Sequence, residues 1–104
     1  MHPELEHLCQ MLDEASELLA SFGWPKWADW LRRDAVFIRR LDFYGVEHLL
    51  TAYGGMGSLN DVVLVSPNGV GSTPHLPIKE NERFYLLRSR IYDLARKLAH
   101  EENS

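Results

Sequence analysis

PELEHLCQMLDEASELLASFGW, residues 3–24, decides the fold. Leu5, Leu8, Leu12, Ala15, Leu19 and Phe22 recur at alternating spacings of three and four. That spacing stacks apolar side chains on one face of an α-helix. Gly23 follows at once, where a helix stop favours a residue that tolerates positive φ. The stretch predicts a helix over about 3–22. Glu6, Asp13, Glu14 and Glu17 fall on its outer face, so an acidic ridge is expected there.

Trp24-Pro25 restarts the chain, because proline suits the first helical position. Trp27, Trp30, Leu31, Ile38 and Leu41 mark one face of a second helix, about 25–40. Asp34 projects from the middle of that apolar face. Asp42 is placed to cap a short third helix, about 43–52, that buries Val46, Leu49 and Leu50. A last helix, about 80–100, repeats Phe84, Leu87, Ile91, Leu94 and Leu98, with Arg88 at the edge of that face. A charge among apolar side chains needs a partner. Asp34 and Arg88 are therefore expected to be buried and to pair, or to reach Asp61 or a backbone group of the segment before it.

That segment, Tyr53 to Asp61, reads YGGMGSLND. Gly54, Gly55 and Gly57 break the helix and permit backbone shapes that other residues resist. Val62-Val63-Leu64-Val65 has the β-branched composition of a short buried strand. Ser66-Pro67-Asn68-Gly69 has turn chemistry, and an irregular loop follows, with room for a second short strand near Val70. The expected fold is a single domain over 1–104. It is mostly α, a compact bundle of three long helices and one short helix, with a Gly-rich turn and at most a small two-stranded β element within 62–72.

Composition narrows the function. A hydrophobic content of 45% with a formal net charge of −4 excludes wholesale disorder. No apolar run approaches the ~20 residues of a membrane span. The N-terminal MHPELEH lacks the basic and apolar regions of a signal peptide, and Cys9 has no second cysteine to pair with. A cytoplasmic location is expected. A sequence pI near 5.7 speaks against nucleic acid as a partner.

Catalytic chemistry is hard to find. The glycine segment lacks Gly-Lys-Ser/Thr, has Asn60 where G-x-G-x-x-G needs glycine, and follows a helix rather than a strand. No two of the five histidines stand at i,i+4, and none lies near Cys9 at a zinc-ligand spacing. Nothing marks Ser58, Ser66, Ser72, Thr73 or His75 as an activated nucleophile or base. No catalytic residue, metal or cofactor is expected. Candidate partner contacts are the acidic residues Asp13, Glu14, Glu17 and Asp29 with Trp24 between them. The other candidate is the loop of residues 66–79, with Asn68 and His75.

The segment YGGMGSLNDVVLVSPNG, Tyr53 to Gly69, resembles a family of small bacterial proteins with a Gly-Gly-Met-Gly-Ser-Leu/Phe-Asn-Asp signature. Gly54, Gly55, Met56, Gly57, Asn60 and Asp61 carry the match. The order of tryptophan-bearing helical half, signature, Asn68-Gly69 turn and final helix fits as well. The loop between Asn68 and Lys79, with Pro67, Pro74 and Pro77, is longer than that pattern. The resemblance implies an immunity protein encoded beside an antibacterial toxin, which would bind and block that toxin as its protein partner. Two other readings remain: a small ligand-binding or enzymatic domain centred on the glycine loop, and a homodimeric adaptor.

Overall fold

The computed structural model describes residues 3–54, 56–65 and 77–102. The chain is mostly helical: α1 (Pro3–Ser21), α2 (Pro25–Arg39), α3 (Tyr44–Thr51) and α4 (Ile78–Glu102), with one 3-10 turn at Leu59–Asp61. The apolar periodicities predict α1 to α3 closely, while α4 runs about a half-turn further at each end than its apolar face requires.

Gly23 ends α1 with φ +83, and the Trp24 N–H bonds to the Leu19 carbonyl at 2.8 Å. The three-residue connection turns α2 back onto α1, and this pair shares the most extensive contact. α1 also packs on α4, and α2 and α4 each pack on α3, so the principal contacts close a ring of four helices. Leu8, Leu12, Leu19, Leu31, Leu49, Phe84, Leu87 and Ile91 fill the middle. Cys9 is buried against the Ala35 carbonyl, and burial pushes its thiol pKa up.

Leu41 departs from its expected place on the core face of α2. It lies beyond the end of the helix at φ +60, is 70% exposed, and turns the chain toward α3. The left-handed region costs an L-residue about 1–2 kcal/mol. Phe43, not the expected Asp42, takes the N-cap position of α3, and Asp42 stands one residue before it, its Oδ1 accepting from the Tyr44 N–H at 3.0 Å. Gly45 then lets α3 approach α2 closely. A Cβ added there would sit 2.8 Å from both the Asp34 carbonyl oxygen and Phe37 Cβ.

The small β element, expected at most, is not confirmed. Among the described residues there is no strand, and residues 66–72 of that expectation lie outside them. Val62–Val65 does bury alternate side chains, Val62 and Leu64, while Val63 and Val65 are exposed. Its backbone, however, is held by side chains instead of a second strand. Asn81 accepts from the Leu64 N–H at 2.8 Å and donates to the Leu64 carbonyl at 2.9 Å. Trp24 Nε1 donates to the Val63 carbonyl at 3.2 Å, and Arg88 reaches the Val62 carbonyl at 3.4 Å.

Candidate functional site

Asp34 is fully buried, as its position on the apolar face of α2 requires, but it does not meet Arg88. Its Oδ1 lies 2.6 Å from His48 Nδ1 on α3. The close α2–α3 approach at Gly45, three residues before His48, makes that pairing possible. The imidazole stacks on Trp30 at 4.4 Å and on Tyr44 at 5.6 Å, with its side chain 30% exposed. Burial pushes the Asp34 carboxyl up to about 6, against the lowering effect of the His48 bond and charge and of the Trp30 indole. Asp34 Oδ2 and Trp30 Nε1 are both buried, and among the described residues neither makes a hydrogen bond of normal geometry, although the indole is near enough to act on the carboxyl.

Arg88 turns instead to the signature segment, the alternative that its place at the edge of α4 allowed. Its Nη1 donates to the carbonyls of Leu59 at 3.3 Å and Asn60 at 3.1 Å, as well as to Val62. Three carbonyls at the end of a 3-10 turn gain a cation there, which is favourable for their dipoles. The guanidinium lies 5.6 Å from the Phe84 ring centroid and 5.4 Å from that of Tyr85. The pair expected between Asp34 and Arg88 is thus two separate arrangements, one on His48 of α3 and one on the carbonyls of Leu59, Asn60 and Val62.

The signature residues hold their own loop. Gly57 has φ +74, and its N–H donates to Asp61 Oδ2 at 2.7 Å. Ser58 Oγ accepts from the Asn60 N–H at 3.3 Å, capping the 3-10 turn. Asn60 Nδ2 donates to the Tyr53 carbonyl at 3.4 Å, and the Leu59 N–H bonds to the Ala52 carbonyl at 2.8 Å. Gly54 has no positive φ and only ordinary room around it, and Gly55 lies outside the described residues. Met56 is 100% exposed. Beside this loop opens a cavity of about 320 Å³ lined by Tyr53, Asn60, Arg88, Ser89, Tyr92 and Asp93. The Tyr53 hydroxyl donates to the Arg88 carbonyl at 2.8 Å, and burial pushes its pKa up.

Two of the four acids of the ridge expected on α1 are ion-paired. Asp13 accepts a two-pronged bond from Arg39, and Glu14 one from Arg83, so both carboxylates join helices. The Arg83 bond holds the Glu14 carboxyl below its usual range. Glu17 stays exposed, and Asp29 lies 3.6 Å from Arg32. Trp24 is half-buried and committed to Val63. Asn68 and His75 lie outside the described residues. Among the described residues no cluster of three or more His, Cys, Asp or Glu side chains could hold a metal ion.

Sequence reasoning missed His48 as the partner of Asp34, and Asn81 as the clamp on Leu64. Gly45 was the available signal for the first. An isolated glycine inside a helical pattern marks a close approach, and His48 stands one turn beyond it. No spacing rule links Asn81 to a residue 17 positions earlier.

Comparison with curated proteins and with solved structures finds no match. A family model matches residues 20–73, which contain Asp34, His48 and the whole signature loop but neither Arg88 nor Asn81. Since that match covers just over half of the sequence, the chain belongs to the family described as Domain of unknown function (DUF6966).

Proposed function

We propose that this chain is an immunity protein, which binds a cognate antibacterial toxin in the cytoplasm and occludes its active site without turning anything over. The resemblance of Tyr53 to Gly69 supplies the partner class. One observation carries the reading: the signature loop consumes the polar side chains of Ser58, Asn60 and Asp61 on its own backbone and leaves Met56 wholly exposed. Groups used to hold a loop are not free for chemistry, whereas a rigidly presented apolar side chain is suited to contact. Gly57, with φ +74 next to Met56, is then part of the presenting element. Tyr85, 60% exposed, and Arg88 stand close by, and Tyr and Arg are residue types that dominate binding energy at interfaces.

The test is co-purification with the toxin encoded by the adjacent gene, followed by a toxin activity assay. A stable complex with inhibited toxin is expected, and Met56→Asp should weaken it by about tenfold or more with an unchanged melting temperature. Failure of the wild-type chain to bind or inhibit that product would sink the reading. The cavity beside Arg88 favours a second reading, a ligand-binding domain centred on the same loop. A small molecule retained through purification would favour it.

A further inference from the structure

The cavity beside the signature loop has a feature that loop-holding does not explain. Arg88 is half-buried, and no carboxylate among the described residues pairs with it. Its carbonyl contacts all run through Nη1, and among the described residues Nε–H and the two Nη2–H groups meet no hydrogen-bond partner. A guanidinium fixed at one nitrogen and flanked by the Phe84 and Tyr85 rings holds its remaining fork in a set orientation. Ser89 and Tyr92 add hydroxyls to the same lining. The Tyr92 oxygen accepts from Arg96 at 3.5 Å, so its own proton is free to donate.

Asp93 is the one acid in the lining. The lining thus carries one cation, Arg88, and one acid, Asp93, and the repulsion from that acid grows with the charge of an incoming anion, so a singly charged group is opposed less than a doubly charged one. A planar two-oxygen anion of single charge matches the geometry of the fork.

We infer that this cavity is a carboxylate-binding subsite, and that it receives an aspartate or glutamate side chain of the protein partner. The assignment of source rests on the proposed function. It is argued from the surroundings: the loop whose feet, Tyr53 and Asn60, line the cavity carries the exposed Met56, and Tyr85 lies exposed against Arg88. A free small anion leaves that apolar area uncovered. A protein surface covers it, and by excluding water strengthens the ion pair at its centre.

The experiment uses the full chain. The Arg88 Nε–H resonance is followed by NMR while acetate is added, with inorganic phosphate as a parallel titrant. Affinity for the neighbouring-gene toxin is measured for the wild type, Arg88→Lys and Ser89→Leu. Ser89→Leu fills the cavity and leaves the Arg88–carbonyl contacts in place, so it remains informative if Arg88→Lys disturbs the loop. A saturable shift with acetate, weaker with phosphate and abolished by Ser89→Leu, is expected. Toxin affinity should fall by about tenfold in both variants, with the melting temperature of Ser89→Leu unchanged. No shift with acetate would overturn the carboxylate chemistry. An acetate shift combined with full toxin affinity in Ser89→Leu would overturn the protein source and assign the cavity to a small carboxylate. A wild-type chain that binds no toxin would remove the functional reading and that source together, while the acetate titration still decides the cavity's chemistry.

Discussion

Gly57 and Met56 are neighbours with opposite roles. Gly57 sits at φ +74 with nothing within 4 Å of where a Cβ would go, so its requirement is conformational and not spatial. Gly57→Ala should cost about 1 kcal/mol or more in urea denaturation, whereas Met56→Ala should leave stability unchanged because its side chain touches nothing that folding needs. Asp34 makes a pH-dependent contribution. Its carboxyl is raised from 3.8 to about 6 by burial, so the folded chain takes up a proton more readily than the unfolded one between those values. Stability from this group is highest below about pH 4, falls as pH rises through that window, and levels off above it. Relative to Asp34→Asn, the wild type should gain up to about 3 kcal/mol on going from pH 7 to pH 4. Parallel denaturation curves for the two proteins would read that difference directly, and a flat difference would refute it.

At the scale of elements, two joints hold the arrangement. The first is the α2–α3 crossing at Gly45. Gly45→Ala would force its Cβ into the Asp34 carbonyl and Phe37, and should destabilise by about 1–3 kcal/mol. It should also shift the His48 ring resonances, since the imidazole reaches Asp34 only because the helices touch there. The second joint is Asn81, whose amide replaces a partner strand for Leu64. Asn81→Leu would leave the buried Leu64 backbone without its two bonds, at about 1–3 kcal/mol. Hydrogen exchange should speed up at Leu64 while the α1 core amides keep their protection. Equal loss of protection in both places would argue against a local clamp. The β-branched run from Val62 to Val65 was legible as a short buried strand, whereas only Val62 and Leu64 are buried. What it pairs with was not legible, because an asparagine 17 residues later can satisfy a backbone as well as a strand can.

For the whole molecule, charge acts between helices more than at one surface. Arg39 holds Asp13 across α1 and α2, while Arg83 and Lys97 hold Glu14 and Glu4 across α1 and α4. These pairs are partly exposed, so each contributes little alone. Reversing Asp13, Glu14 and Glu17 together to lysine should lower the melting temperature, because Arg39 and Arg83 then face like charges. Glu17→Lys alone should not, since Glu17 is exposed and outside these pairs. Unchanged melting of the triple variant would show that the pairs are incidental in solution. Binding experiments that use such reversals to probe a partner surface need that stability control.

The amino-acid sequence by itself determined the four helices, their ends to within about two residues and most of their buried faces. The spacing of Leu5 to Phe22, the stop at Gly23 and the start at Pro25 act locally, within a turn or two of the residues that carry them. It also determined that Asp34 must lie among apolar side chains. Only the tertiary structure decided which partners the polar residues take. Asp34 found His48 because Gly45 brings two helix backbones together, and Arg88 found three carbonyls because the glycine segment returns to α4. The acids of α1 met arginines from two other helices. Such pairings depend on which surfaces are brought together across the bundle, and helical periodicity specifies the face a residue occupies without specifying the residue opposite it.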